Sequence, residues 1–415
     1  MRLLIVVPEA KGHHLALYTR LLLQEAVARG WAVTILTSKF GSEHSAFDLI
    51  AADHQEPPRT IVMPDVRRSP NTGSTALFLS QLRLWNALRS ACRENSQFSG
   101  FDLIYCVNLD YFEKALSLFG SPFGNRPFTG MLMNPKFHRA PTGLGPPSRA
   151  DFVYRLMFKR LLAIRGLRRL LVIDGPFCDF CRQRRFAHAD KISLVSDVGE
   201  LSRLETRSSA RASLGVASDA FVILVYGSLT RRKGIEQLLR ALEKLGDPDV
   251  IVLVAGKPDE EVTTLLSSKH CRQMQESGQL LVRGEFHDDE AEVRVFSAAT
   301  VVWLGYIGGA YGSSGVLYQA GSAGLPVISM ADGLVGWSVR SHELGIALDA
   351  SDATAVADAL RRLRKDESLL REFGESGRRL ARGHTGTAFA TSICDALASC
   401  VQRNSVNDSP RDGSL

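Results

Sequence analysis

Two α/β domains in tandem, each a doubly wound parallel sheet, are what the sequence predicts, on three observations. At 415 residues the chain is long for a single hydrophobic core and suits about two domains of ordinary size. Apolar, β-branched runs alternate with amphipathic stretches from the first residue onward, the pattern of strands covered by helices on both faces. The alternation halts at a polar, Ser-rich stretch, residues 200–219, and then restarts. A hydrophobic content of 45% with 23% charged residues is that of a globular chain, neither fibrous nor disordered.

The first half opens with RLLIVV (2–7), a loop containing Gly12, a helical stretch at 15–30 that stops at Gly30, and AVTILT (32–37), which together form a βαβ unit. Further strands are expected at 102–107, 128–133, 170–173 and 191–196. Residues 1–199 are therefore read as one domain and 200–219 as the linker. The second domain, 220–380, holds strands at 221–228, 250–256, 279–286, 301–306 and 326–329, with helices at 235–246, 260–276, 288–299 and 353–374. A helix over 381–402 is expected to pack back towards the first domain, and 403–415 to be a disordered tail. Two such Rossmann-like halves would face a cleft at the carboxyl ends of their strands, where doubly wound sheets take ligands.

No apolar run approaches the roughly 20 residues that span a bilayer. MRLLIVVPEA is interrupted by Glu9 and Lys11 too early for a signal peptide. A cytoplasmic location is expected, and seven scattered cysteines suit a reducing compartment. Cys178 and Cys181 form a single CxxC without the two further ligands a structural zinc site needs, so no metal is expected. The net charge of +6 is concentrated: residues 136–186 hold twelve Lys or Arg against three Asp. A local anionic partner is implied, and no zinc finger, RRM signature or aromatic-interleaved basic repeat points to nucleic acid.

Two stretches carry chemistry. In YGSLTRRKGIEQLL (226–239) a strand leads through Arg231, Arg232 and Lys233 into a helix whose free N–H groups favour an anion, which makes a phosphate clamp. In GSSGVLYQAGSAGLPVIS (312–329), Gly312, Ser313, Ser314 and Gly315 let backbone N–H groups approach a ligand, and the helix expected from Val316 aims its dipole there. Two anion sites on neighbouring strands suit a diphosphate. His13 and His14 follow the first strand, where either can reach such a group or cap the next helix. A basic amphipathic stretch, 148–171, sets Phe152, Leu156, Leu161 and Ile164 near one face and Arg155 and Lys159 on another, so it is read either as a peripheral membrane contact or as an ordinary surface helix.

The order GSLTRRKG, VLVAGKPDE, LVRGEFHDDE, VVWLGY, QAGSAGLPVIS and ELGIALDASDATAVADAL over 221–361 resembles the nucleotide-binding half of GT-B glycosyltransferases, specifically the retaining family 4. The first domain is similar more loosely, through VVPEAKGHH and ARGWAVTILT. The resemblance implies a nucleotide-diphosphate sugar of UDP or GDP type as donor, no cofactor or metal, and a glycan, lipid-linked or small-molecule acceptor. It assigns Lys233 to the diphosphate, Gly12 and His13 to the closing loop, and the 284–287 segment, including Phe286, to the base. Ser228, Gly256, Ser313, Ser314, Gly315 and Val316 complete the donor side, with Arg231 or Arg232 in place of the family's arginine, which falls at Ser228. The family's two glutamates fall at Tyr311 and Gln319. Its first-domain histidine falls at Asn134, with His138 four residues on as the catalytic substitute. The expected catalytic set is Lys233, Arg232, Gln319 and His138. SSGVLYQA also resembles a stretch of nucleotide-sugar 2-epimerases, and the lost glutamates leave open a sugar-nucleotide-binding protein without activity.

Overall fold

In the computed structural model the chain divides into two compact units, Met1–Thr142 with Pro147–Ser196 and Gly386–Leu415, and Gly143–Pro146 with Asp197–Thr385. The structure describes residues 1–9, 14–53, 57–66, 74–201, 203–284, 289–309 and 312–407. Gly12, His13, Phe286 and Tyr311 lie outside the described residues, as does 408–415 of the expected tail.

The first unit is built on seven parallel strands, β1 (Arg2–Val7), β2 (Ala32–Ser38), β3 (Arg59–Met63), β4 (Leu103–Cys106), β5 (Phe128–Leu132), β6 (Leu167–Val172) and β7 (Ile192–Leu194), ordered β3-β2-β1-β4-β5-β6-β7. Leu3, Leu4, Ile5 and Val6 of β1 are wholly buried, which is why this strand reads as an unbroken apolar run. The second unit has six parallel strands, β8 (Phe221–Tyr226), β9 (Val250–Ala255), β10 (Leu280–Arg283), β11 (Val301–Leu304), β12 (Val327–Met330) and β13 (Gly345–Leu348), ordered β10-β9-β8-β11-β12-β13. Strand order reverses between β1 and β4 in one sheet and between β8 and β11 in the other. Loops leaving the carboxyl ends at such a reversal part to opposite faces and open a crevice.

Several expectations are corrected. Residues 200–219 are no linker: Arg207–Leu214 is a helix of the second unit, capped by Thr206, whose Oγ1 accepts from the N–H of Ser209 at 3.3 Å. Arg211 on that helix is buried and donates to the carbonyls of Ala298, at 3.1 Å, and Ser218, and to Thr300 Oγ1 at 3.1 Å. A buried guanidinium looks like linker polarity in a sequence but is a staple in the fold. The expected helix at 260–276 is two, Glu260–Leu266 and Lys269–Glu276, because Ser268 caps the second. Similarly, Asp366 starts a new helix, Glu367–Ala381, after Ala353–Lys365. The last helix, Gly386–Asn407, outruns the expected 402 and belongs to the first unit, where Arg29 donates to Asp395 at 2.6 Å and Tyr18 packs on Phe389. Among the described residues no helix is long and apolar enough to cross a membrane.

At the carboxyl end of β4 the first unit holds two half-buried acids. Asp110 accepts from the backbone N–H groups of Met133, at 2.8 Å, and Asn134, at 3.1 Å, so it is the better stabilised carboxylate. Burial, and then the neighbouring Asp110, push Glu113 up to about 8, against the pull of Lys136 and Lys114.

Two measurements check these packing assignments. Arg211→Ala is expected to destabilise the protein by about 1–3 kcal/mol in chemical denaturation, while Arg207→Ala, exposed on the same helix, stays within about 0.5 kcal/mol. Equal effects would return the segment to a linker. Because the folded pKa of Glu113 lies above its ordinary 4.5, its contribution is fully present below that value and is lost as pH rises through about 8. Glu113→Gln should therefore gain in melting temperature over the unmodified protein between pH 5 and 9, and parallel curves would contradict it.

Candidate functional site

The crevice of the second unit is formed by the turn after β8 and the loop after β11. Lys233 ends a short 3₁₀ turn, Arg231–Lys233, and its side chain folds under that turn instead of reaching out. Its Nζ donates to the Tyr226 carbonyl at 2.6 Å and lies 3.4 Å from the Tyr306 hydroxyl. An ammonium carries three protons, so these contacts leave one for a further acceptor. The turn is held tightly: Trp303 Nε1 donates to the Lys233 carbonyl at 2.9 Å and the Ile307 N–H to the Arg232 carbonyl at 2.9 Å. Gly234, at φ +66°, rests so close on Gly305 that a Cβ would strike its carbonyl.

The helix Gly315–Ala323 begins one residue before the expected Val316, and Ser314 is its N-cap residue. Ser314 does not cap the helix from its side chain. Its hydroxyl is paired with Tyr306 Oη at 2.8 Å. Tyr306 therefore joins the lysine to the helix start, and among the described residues the first-turn N–H groups receive no side-chain acceptor. An uncapped helix beginning beside an ammonium is an anion site in charge and in donor direction. The Arg232 guanidinium stands over the Tyr306 ring at 4.8 Å and adds a third positive group.

The other expected residues divide. Ser228 is exposed in the turn after β8. Arg231 departs from the group, facing a hollow lined by Glu236, Gln237 and Glu261. Ser313 donates to Asp197 Oδ2 at 2.6 Å, so its hydroxyl anchors the loop. Gly256, at φ +131°, is a packing glycine, since a Cβ there would strike the Gly227 carbonyl. Gln319 donates from Nε2 to Glu292 Oε1 at 2.7 Å, and Glu292 also raises the pKa of Tyr226, after burial. The carboxylate missing from position 319 is thus present on a neighbouring helix. His138 is corrected: it is wholly buried in the first unit, with Nε2 3.0 Å from Asp174 Oδ2 and Phe177 edge-on to its ring, and it cannot touch a substrate in this arrangement. Asn134 lies at the carboxyl end of β5, bonded to Asp110.

Tyr306, Glu292 and Asp197 escaped the sequence. Each is bonded to a residue far along the chain, to Lys233, Gln319 and Ser313 in turn, and only the proximity of Tyr306 to the 312–315 loop was available as a signal. Cys178 and Cys181 are both buried on the helix Gly175–Gln183, and burial pushes both thiols up to about 12.

The sequence profile of the family described as Glycosyl transferases group 1 matches residues 206–380, the greater part of the second unit. A curated relative, the D-inositol 3-phosphate glycosyltransferase of Corynebacterium diphtheriae, is 29% identical over 191 residues, 44% of each chain. The chain spans about half the length of the curated relatives it matches. Among solved structures, a sucrose-phosphate synthase from Thermosynechococcus elongatus superposes with a TM-score of 0.66 at 20% identity, covering 99% of this chain and 100% of that one. HepE of Anabaena in complex with UDP and glucose gives 0.65 at 17% identity, covering 96% of this chain and 100% of that one. The two parallel-sheet units are those of the GT-B glycosyltransferase fold.

Proposed function

We propose that the chain is a glycosyltransferase that moves a sugar from a UDP- or GDP-type nucleotide sugar to a glycan, lipid-linked or small-molecule acceptor, with retention of configuration and without a metal. The observation that carries this reading is the uncapped start of the helix Gly315–Ala323 beside Lys233, with Tyr306 between them. The family match over 206–380 supports it, since it spans these residues, and so do the transferase names of the relatives, which favour transfer over the 2-epimerase and binding-protein readings.

The donor diphosphate would rest against the first-turn N–H groups and accept from Lys233 Nζ. Negative charge grows on the leaving phosphate as the glycosidic bond breaks, so donors already fixed around it stabilise the transition state more than the ground state. The departing phosphate oxygen then takes the acceptor hydroxyl proton on the same face, which accounts for retention without a protein nucleophile. Gln319 and Glu292 together offer the ribose hydroxyls a carbonyl and a carboxylate.

Purified protein incubated with a panel of UDP- and GDP-sugars should release nucleoside diphosphate only when an acceptor is present; release without one, or none with any donor, would count against the reading. Lys233→Ala should lower kcat/KM at least a hundredfold, about 2.7 kcal/mol, and unchanged turnover would remove the clamp. Gln319→Glu would set two carboxylates face to face and should weaken nucleotide binding in calorimetry, whereas adding Glu292→Gln should restore it. Failure of the second change to rescue would break the pairing.

A further inference from the structure

The helix Asp151–Leu162 of the first unit lays Phe158, Leu161 and Leu162 into the core, so the sequence-based face combining Phe152 and Leu156 with Leu161 does not exist. Phe152, Val153 and Leu156 instead project outward at 66%, 52% and 51% exposure. Three large apolar side chains within five residues are a patch, and such patches mark a contact surface. Nothing in the glycosyl-transfer reading uses them.

Their surroundings identify the partner. Arg149, Arg155, Lys159 and Arg160 are exposed around them. A groove beside the helix is lined by Arg155 and Lys159 together with Arg184, Arg185, Phe152 and Phe180. Its cations are held over rings: Arg155 over Phe152 at 5.7 Å, Lys159 over Phe186 at 5.6 Å and Arg184 over Phe180 at 5.8 Å. The acids nearby are engaged, Asp151 by the Ser148 N–H at 3.0 Å and Asp179 by Arg182 at 3.3 Å. A second copy of the chain would bring this positive face against itself in a two-fold contact. A nucleic acid would satisfy the cations but leave Val153 and Leu156 in water.

We infer that this face docks on an anionic lipid bilayer, with Phe152, Val153 and Leu156 entering the acyl boundary and the Arg155–Lys159–Arg184–Arg185 groove receiving a phospholipid headgroup phosphate. An apolar edge ringed by cations is how an amphipathic helix lies in a membrane interface. The long basic side chains reach back to the headgroups from stems lodged among the apolar groups.

The test needs no glycosyl donor, so it stands or falls apart from the proposed activity. Full-length protein is floated with vesicles of phosphatidylglycerol mixed into phosphatidylcholine, and with phosphatidylcholine alone. Binding is expected to the mixed vesicles, at least tenfold weaker to phosphatidylcholine, and to weaken in high salt. Phe152→Ser with Leu156→Ser, both exposed and outside the core, should cut partitioning at least tenfold with an unchanged melting temperature. Arg155→Glu with Arg184→Glu should abolish the preference for phosphatidylglycerol. No binding to either vesicle, variants that bind like the unmodified protein, or a concentration-dependent dimer in sedimentation velocity that the serine variants disperse would each overturn the inference.

Discussion

Ser314 gives its hydroxyl to Tyr306 at 2.8 Å, not to the helix it precedes, and the proposed chemistry depends on that choice. A serine at this position would ordinarily accept from the second or third N–H of its helix and neutralise the very donors an anion needs. Tyr306 prevents it and meanwhile lies within 3.4 Å of Lys233 Nζ. The helix start and the ammonium are thereby fixed before a ligand arrives. Donors so held need little reorganisation when charge develops, which is where an enzyme gains most from them.

The scaffold explains how residues 81 positions apart meet. Parallel pairing of β8 with β11 puts both carboxyl ends at one edge of the sheet, and the order reversal there sends the two loops apart. Tight backbone packing does the rest, with Gly234 resting on Gly305 and Trp303 bonded beneath Lys233. Asp197 ties the far side of the loop through Ser313 and accepts on its own carbonyl from His384, so the loop is braced from the segment by which the chain enters this unit.

Central strands were legible because helices bury both their faces, as the buried apolar runs from Leu3 to Val7 in β1 and from Phe221 to Val225 in β8 show. The edge strands β3 and β13 were missed for the opposite reason: their residues are mostly half-covered, and a four- or five-residue run with no clear alternation carries little signal. The helix Ser74–Glu94 was passed over as well. Within the site, Lys233 and the 312–315 loop were legible because glycine and lysine at the end of a strand have a local meaning. Gln319 could be aligned, but its bond to Glu292, 27 residues away, is a tertiary fact with no trace in spacing. His138 misled because an imidazole near a strand end reads the same whether it faces solvent or is sealed against Phe177 and Phe180.

The most direct measurement is a crystal structure of the protein with UDP or GDP bound. The account predicts diphosphate oxygens within hydrogen-bonding distance of the N–H groups of Gly315 or Val316 and of Lys233 Nζ, with the Tyr306–Ser314 bond kept. A diphosphate bound elsewhere, or a Ser314 hydroxyl turned back to cap its own helix in the complex, would contradict it.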